Sequence, residues 1–270
     1  MLVATPIGNL GDLSPRAIEA LSRADVIACE DTRRTRQLLT HAGVRTPRLL
    51  VVNDHTEAAR VREVIALLDA GSYVAVVTDA GTPGVSDPGE RLVAAAAAAG
   101  HRVEVVPGPS AVIAALVVSG LPTGRFCFEG FLPRKGSART ARLEALRTEG
   151  RTTVLYEAPH RVHQTVADLC RALGPLRRIV IARELTKLHE ETWRGSLGDA
   201  EAHVAAEPRG EHVLVLDGAP PPGPPADDEV EAAIRRELDG GADKKTAIAA
   251  VAGRLGLPKR HVYQIALGVR

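Results

Sequence analysis

The chain has 270 residues, of which 45% are hydrophobic and 25% are charged, as in an ordinary globular protein. This length allows two domains with separate cores. The formal net charge of +1 excludes a strong overall attraction to nucleic acid, so any such affinity must come from local basic patches. The apolar runs are too short to span a bilayer, the first residues carry no export signal, and Cys29, Cys127 and Cys170 form no CxxC pair. We therefore expect a cytoplasmic protein without a disulfide framework or a metal cluster.

The first 120 residues alternate short apolar runs with helical patterns. Strands are predicted at 2–4, 26–29, 49–52, 73–77 and 103–106, and helices at 15–22, 56–69, 90–99 and 111–118. Ser14 followed by Pro15 is typical of a helix start, because the hydroxyl caps the first turn and proline is favoured there. The alternation predicts βαβ units and a mostly parallel sheet.

A loop dense in glycine and proline follows the fourth predicted strand. Residues 78–89 have the sequence TDAGTPGVSDPG, with three glycines and two prolines. The glycines allow the main chain to approach a ligand closely, and the prolines restrict the shape of the loop. Ligands of open α/β sheets bind at the carboxyl ends of the strands, so this loop predicts a small-molecule site. An ordinary connection between a strand and a helix is the alternative.

A second α/β domain is expected at 121–218, after an N-terminal α/β domain at 1–120. Its predicted strands lie at 126–131, 152–156, 179–182 and 212–216, and its helices at 138–147 and 161–172. The Pro-rich segment at 219–227 predicts an extended linker. Short helical patterns at 228–238, 244–255 and 258–267 then predict a small helical domain over 228–270.

Two segments of the chain carry local positive charge. Six basic and only two acidic residues lie between positions 134 and 151, and six basic and no acidic residues lie from position 244 to the end. A solvated surface is a sufficient explanation for either cluster alone, but the pair favours a polyanion as partner. Aromatic residues make up only 3% of the chain, so contacts to phosphates and to overall shape are expected rather than base stacking.

The glycine motifs of the sequence distinguish between classes of nucleotide-containing cofactor. Gly8 and Gly11 follow the first strand and Glu30 and Asp31 follow the second, as in a dinucleotide site, but the GxGxxG fingerprint is absent from the sequence. A GxxxxGK[ST] sequence is absent too, which excludes a P-loop for nucleoside triphosphates. A site for an adenosine-sized ligand without a phosphate cradle favours S-adenosylmethionine.

Seven motifs occur in one order along the chain. They are TPIGNLGD at 5–12, CEDTR at 29–33, DAGTP at 79–83, PGPSA at 107–111, EGFLPRK at 129–135, YEAPHR at 156–161 and RELTKLHE at 183–190. The set closely resembles the small-subunit ribosomal RNA methyltransferases of the tetrapyrrole methylase superfamily, over essentially the whole chain. Members that act on tetrapyrroles usually begin with a GxGPGD-like turn, whereas this chain has Pro6, Ile7, Gly8 and Asn9 there, which argues against a porphyrinoid substrate.

The resemblance implies a fold, a reaction and a set of cofactor contacts. The fold is two α/β domains with S-adenosylmethionine in the cleft between them, in a chain that forms a homodimer. The reaction is methylation of the 2′-hydroxyl of one cytidine in the 16S RNA of the small ribosomal subunit. Matching the motifs assigns the cofactor contacts to Ile7, Asp79, Ala80, Gly81, Thr82, Val85, Ser110, Ala111, Glu157 and Leu185.

Such a reaction needs a general base or a polar clamp, because a ribose hydroxyl is a poor nucleophile until its proton leaves. Glu30 and Asp31 are the first candidates, and the equal alternative is that they cap a helix starting near Thr32. Glu184, Lys187 and His189 of the second domain are further candidates. Phosphate contacts are expected from Arg33, Arg134, Lys135, Arg139, Arg161 and Lys187. Internal ion pairs are the alternative for Arg33 and Arg161.

Two further functions stay open at the level of the sequence. One is methylation of a corrinoid or porphyrinoid on the same fold. The other is a ribosome-binding protein whose methylase fold has lost its activity. The basic segments favour RNA over a small macrocycle, and the intact DAGTP and RELTKLHE motifs argue against lost activity.

Overall fold

The computed structural model describes residues 1–53, 55–205, 209–221 and 223–269. Pro222 of the Pro-rich segment and Arg270 of the basic tail lie outside these residues. The chain divides into two compact units, Met1–Ala219 and Pro220–Arg270. Among the helices of the described residues, none combines the length and the apolar character that a membrane crossing requires.

The first sheet has five parallel strands in the order β3-β2-β4-β1-β5. They are β1 (Leu2–Val3), β2 (Val26–Cys29), β3 (Arg48–Val51), β4 (Val74–Val76) and β5 (Val105–Val106). The predicted parallel sheet is confirmed, with somewhat shorter strands. Because all strands run in the same direction, the segments that follow them meet at one edge of the sheet.

Helices cover both faces of this sheet. They are α1 (Pro15–Arg23), α2 (Thr32–His41), α3 (Glu57–Asp69) and α4 (Glu90–Ala98). On one face Leu21 and Leu39 pack with Ile27, and on the other Val64 and Leu92 pack in the opposite core. Each fully buried side chain of this kind contributes about 1.5–3 kcal/mol to folding. The central strands β2 and β4 are apolar and buried throughout because both of their faces are covered.

The second sheet is mixed, in the order β6-β7-β10-β8-β9. Its strands are β6 (Phe126–Phe131), β7 (Thr152–Glu157), β8 (Arg178–Arg183), β9 (Glu191–Ser196) and β10 (His212–Leu216). Only the β6–β7 pair is parallel; β10 runs antiparallel to β7 and β8, and β9 antiparallel to β8. The amino end of β10 therefore lies beside the carboxyl ends of β7 and β8.

The helices of this part are α6 (Ser137–Thr148), α7 (Pro159–Leu173) and α8 (Leu197–His203). The sequence predicted neither β9 nor α8. The strand β9 has the polar sequence ETWRGS at the edge of the sheet, so it lacks the apolar pattern of a central strand. The short helix α8 starts at a capping box formed by Ser196 and Asp199.

One helix that follows the first sheet packs on the second sheet. Helix α5 (Ala111–Ser119) follows β5 of the first sheet, yet Val112, Ala115 and Leu116 pack against strands of the second sheet. The other face of the second sheet is covered by α6, α7 and α8. Because α5 follows the first sheet in the chain and packs on the second, the carboxyl edge of the first sheet lies opposite the second sheet. A cleft remains between them.

The second unit contains three helices, as predicted. They are α9 (Asp227–Asp239), α10 (Lys244–Leu255) and α11 (Lys259–Ala266). Val230, Ile234, Val251 and Val262 form a separate buried core. This core accounts for a compact helical unit, while the domain bounds given above stay a prediction.

Candidate active site between the two sheets

The glycine loop between β4 and α4 lies against the turn after β1. The main chains of Thr5 and Gly81 exchange two hydrogen bonds, of 2.9 and 3.1 Å between N and O. Gly81, Gly84 and Gly89 have φ of 81°, 84° and 137°. Side chains are disfavoured in this region of φ, so the loop depends on its glycines.

A buried carboxylate fixes the far end of this loop. Oε1 of Glu57, on α3, accepts hydrogen bonds from the backbone N–H groups of Gly89, Arg91 and Leu92, at 2.9, 3.0 and 3.3 Å. These are amide groups at the start of α4 that have no partner within the helix. Sequence reasoning missed Glu57, since nothing in a helical pattern marks a carboxylate that reaches a second helix.

A cavity of about 420 Å³ opens between the glycine loop and the second sheet. Nine of the ten expected cofactor contacts line it, namely Ile7, Ala80, Gly81, Thr82, Val85, Ser110, Ala111, Glu157 and Leu185. The rest of its wall comprises Lys187, which was expected to contact phosphate, and residues that were not singled out from the sequence, namely Ser86, Asp87, Phe131, Tyr156, Ala158, Pro159, Ala182, Glu211, His212 and Val213. Such a volume and a mostly apolar wall are typical of a site for a small organic ligand.

The antiparallel position of β10 explains why several wall residues were missed. His212 at the start of β10 is paired with Glu157 at the end of β7 and with Arg183 at the end of β8. An antiparallel strand brings its amino end to this edge. In a parallel sheet, only residues that follow the strands are expected there.

The polar atoms of the cavity fit an adenosine-sized ligand better than a highly charged one. His212 is 4% exposed, and its Nδ1 has no hydrogen-bond partner within the described structure. Burial lowers the pKa of His212, so the ring is neutral. Burial also raises the pKa of Tyr156 to about 12, so its hydroxyl keeps its proton. Neutral donors and acceptors beside Leu185 suit a purine or a ribose.

Glu157 is buried and its carboxylate is already bound from within the fold. Oε1 accepts from the N–H of Ala158 at 2.9 Å and pairs with Nε of Arg161 at 3.2 Å, and Oε2 accepts from the hydroxyl of Thr165 at 2.6 Å. The Arg161 guanidinium also donates to the carbonyl of Leu132 at 2.6 Å. These contacts support the structural interpretation of Arg161 over a phosphate contact.

A second cavity of about 340 Å³ lies next to the first and shares Ile7, Ala80, Lys187 and Glu211 with it. Asp79, the tenth expected cofactor contact, lines this second cavity instead. The remaining wall is formed by Thr5, Pro6, Gly8, Leu10, Arg34, Thr35, Gln37, Leu38 and Thr78. Charged side chains of both signs therefore surround this cavity.

Asp31 acts as the cap of α2. Its Oδ1 accepts from the backbone N–H of Arg33 at 2.7 Å, and its Oδ2 pairs with the guanidinium of the same residue at 2.8 Å. These hydrogen bonds lower the pKa of Asp31 to about 2, which makes it a weak base. Neither Glu30 nor Asp31 is among the described residues that line the two cavities. The arrangement supports the cap rather than the base for Asp31.

Asp79 has a different environment from Asp31. Its Oδ1 accepts from the backbone N–H of Asp31 at 3.2 Å, and its Oδ2 lies 3.5 Å from Nε of Arg34. Burial raises the pKa of Asp79 above its ordinary value, despite the nearby guanidinium. Two carboxylates on neighbouring strand ends thus have pKa values displaced in opposite directions.

The cations expected to bind RNA fall into two groups. Arg139 is 8% exposed and its guanidinium binds Asp168 at 2.7 Å and the carbonyl of Pro133 at 2.9 Å, so it is not placed to grip a phosphate. Lys187 binds the carboxylates of Glu184 and Glu211 at 2.9 and 3.0 Å. In contrast, the side chains of Arg134 and Lys135 are exposed. Arg33 is exposed too, but its guanidinium pairs with Asp31 at 2.8 Å, as the ion-pair alternative expected.

Comparison with known proteins identifies the family. The model of the tetrapyrrole (corrin/porphyrin) methylases matches residues 1–201. Ribosomal RNA small subunit methyltransferase I of Synechocystis sp. is 47% identical over 269 residues, which cover 98% of this chain and 96% of that protein. The chain belongs to the ribosomal RNA small subunit methyltransferase I family. The protein of that name from Xylella fastidiosa is 52% identical over 221 residues, 81% of each chain.

Membership of the methyltransferase I family confirms the resemblance found in the motifs. The fold is also that of a uroporphyrin-III C-methyltransferase from Thermus thermophilus, solved in complex with S-adenyl homocysteine. That structure is 21% identical, has a TM-score of 0.56 and covers 80% of this chain and 95% of the other. This member of the methyltransferase I family thus has a tetrapyrrole methylase fold, with two cavities at the edge where its sheets meet.

Proposed function

We propose that this chain transfers a methyl group from S-adenosylmethionine to the 2′-hydroxyl of a cytidine in 16S ribosomal RNA. The relatives at 47% and 52% identity are named for small-subunit ribosomal RNA. The observation that carries the proposal is the cavity in which nine of the ten motif-matched contacts meet. We propose that the reaction takes place in the cytoplasm, where the small ribosomal subunit is found.

The larger cavity holds the cofactor in this proposal. S-adenosylmethionine supplies a methyl group that its sulfonium sulfur already activates. The main chain around Ala80 and Gly81 and the small side chains of Thr82, Ser110 and Ala111 line one side of the cavity. His212, with a free Nδ1, offers a polar contact on the opposite side. The role of these residues is to orient the donor, since alignment alone accounts for much of the rate of a transfer reaction.

RNA is held by exposed cations in this proposal. Arg33 follows the strand end beside the second cavity, and Arg134 and Lys135 lie between β6 and α6. Lys244, Lys245, Lys259 and Arg260 belong to the helical unit, where their charge is available to phosphates. Each phosphate that such a cation neutralises makes RNA binding weaker as salt is added.

A homodimer completes the proposal. Strand β5 lies at the edge of the first sheet, and Val105 on this strand is 51% exposed. On α5, Ile113 and Val117 are 47% and 64% exposed. Exposed apolar side chains such as these are suited to contact with a second copy of the same chain. Val117→Asp should convert a dimer into a monomer in multi-angle light scattering, and a wild-type monomer would contradict this part of the proposal.

Labelled methyl transfer tests the function. Protein and labelled S-adenosylmethionine are incubated with small ribosomal subunits that lack the modification, with fully modified subunits as the control. We expect label in a ribose of the 16S RNA of the unmodified subunits alone. Transfer only to a corrinoid or porphyrinoid, or binding to subunits without transfer, would each contradict the proposal.

A further inference from the structure

We propose that the second cavity holds the nucleotide that receives the methyl group, and that Asp79 accepts the proton of its 2′-hydroxyl. This inference rests on the proposed function and adds the acceptor site and the base to it. The second cavity adjoins the first, with which it shares the wall residues Ile7, Ala80, Lys187 and Glu211. A nucleotide placed there lies beside the cofactor cavity without competing for its volume.

The lining of the second cavity matches the chemistry of one nucleotide in an RNA strand. Arg34, whose side chain is 64% exposed, offers a guanidinium to a phosphate at the mouth. Leu10 and Leu38 provide apolar contact for a base, and Gln37 provides an amide that can both donate and accept hydrogen bonds. The second cavity therefore has a suitable contact for the phosphate, the base and the ribose hydroxyl of a nucleotide.

Asp79 is the residue at the boundary between the two cavities. It directly precedes Ala80, which lines both of them, and Asp79 itself lines the second. The contacts of its carboxylate with the Asp31 N–H and the Arg34 guanidinium are 3.2 and 3.5 Å long. A carboxylate oxygen can accept more than one hydrogen bond, so Asp79 keeps capacity for a hydroxyl.

The proton and electrons balance in this step. The O–H bond of the ribose breaks and its proton passes to a carboxylate oxygen of Asp79. The electron pair left on the ribose 2′-oxygen forms the new bond to the methyl carbon, while the carbon–sulfur bond breaks with its pair on sulfur. S-adenosylhomocysteine is left, and Asp79 then releases the proton to water.

The charges around Asp79 are consistent with this role. On its own side of the sheet it faces Arg34, Arg33, Asp31 and Cys29, and across the second cavity lie Lys187 and Glu211. Burial raises the pKa of Asp79, whereas the hydrogen bonds from Arg33 lower that of Asp31 to about 2. A base is more effective as its pKa approaches the working pH, so Asp79 is better suited than Asp31.

A matched pair of variants tests the inference. Asp79→Asn removes the carboxylate but keeps an oxygen that can accept from the Asp31 N–H, and Asp31→Asn keeps an oxygen for the cap of α2. We expect Asp79→Asn to lower the single-turnover rate of ribose methylation about 10²–10⁴-fold, the usual contribution of a positioned base. Asp31→Asn should lower it less than about threefold. The affinity for S-adenosylmethionine, measured by calorimetry, should change little in either variant, which also shows that both are folded.

The pH profile separates a base from a merely structural residue. In the wild type the rate should rise with pH to a plateau, and Asp79→Asn should lose this rise. A loss of rate in Glu30→Gln that exceeds the loss in Asp79→Asn would overturn the inference, as would an Asp79→Asn rate within threefold of the wild type. No methyl transfer to RNA by the wild type would instead contradict the proposed function itself.

Filling the cavity gives a readout that does not depend on activity. Gln37 is exposed at the second cavity, and Gln37→Trp should occupy the volume meant for the base. We expect the cofactor-free protein to bind unmodified subunits at least threefold more weakly, with unchanged affinity for S-adenosylmethionine. Unchanged binding of subunits would show that the nucleotide lies elsewhere.

Discussion

The two neighbouring cavities are built in different ways. Lys187 and Glu211 line both cavities, but the rest of the larger wall is mainly small or apolar residues, whereas the smaller cavity adds the charged pair Arg34 and Asp79. Backbone and apolar walls recognise a ligand by shape, while charged side chains recognise and alter charge. The difference implies that substitutions in the larger cavity should change cofactor affinity, and substitutions in the smaller one should change RNA recognition and rate.

Gly81→Val should have the largest effect on the larger cavity. Gly81 has φ of 81°, where a β-branched residue is strained, and a Cβ there would lie 3.5 Å from Cγ2 of Ile7. We expect the affinity for S-adenosylmethionine to fall up to about 30-fold, because about 1–2 kcal/mol of backbone strain displaces the loop that lines the site. Calorimetry measures this affinity.

Gly100→Val is the matched control for that change. Gly100 also has φ of 81° but nothing lies within 4 Å of the position of its Cβ, and it is not among the residues lining the cavities. It should lose stability without losing cofactor affinity. Equal losses of affinity in the two variants would mean that global strain, not the cavity, explains the effect.

Arg34→Ala should affect the smaller cavity selectively. Loss of one charge-assisted contact to phosphate, worth about 1.5 kcal/mol, predicts about 10-fold weaker binding of small subunits and a shallower dependence on salt. Arg23→Ala is the control, since Arg23 stacks on Tyr73 at the opposite edge of the first sheet. A loss of cofactor affinity as large as the loss of RNA affinity would show that the cavities are not separable.

Removal of residues 220–270 should have a smaller effect. This unit has its own core, so its loss leaves the core of the first unit intact. We expect about fivefold weaker binding of subunits, because several cations are removed, and unchanged cofactor affinity. Filter binding and thermal unfolding report the two quantities. Parallel loss of stability and cofactor affinity would indicate that the tail serves folding instead.

The smallest expected effect is a difference in the pH at which Asp79 and Asp31 become protonated. On acidification from neutral pH, Asp79 should take up its proton above the ordinary aspartate value, and Asp31 only near its pKa of about 2. Because the folded pKa of Asp31 is lowered, its contribution to stability is present above the ordinary value and lost as pH falls towards 2. Carboxyl carbon NMR titrations of the wild type and Asp31→Asn resolve the two groups. Protonation of Asp31 at a higher pH than Asp79 would contradict this prediction.

Sequence patterns were most informative where a strand, a loop and a helix follow one another. The glycine loop and the places of Ile7, Ser110 and Leu185 in the cavity wall agree with motifs that are local in the sequence. Glu211 and His212 escaped prediction because their place depends on an antiparallel neighbour, which no local pattern records. Arg139 was expected on the surface, but burial next to Asp168 is set by the packing of α6 on α7.

The hydrogen bonds of the Glu57 carboxylate act on the glycine loop already in the ligand-free protein. Its three hydrogen bonds hold the start of α4 from a neighbouring helix, so the end of the loop is already ordered in the free protein. A preformed site avoids the entropy loss of ordering a chain segment on association. Cofactor affinity is therefore linked to the integrity of α3, a helix that contributes no residue to the lining of either cavity.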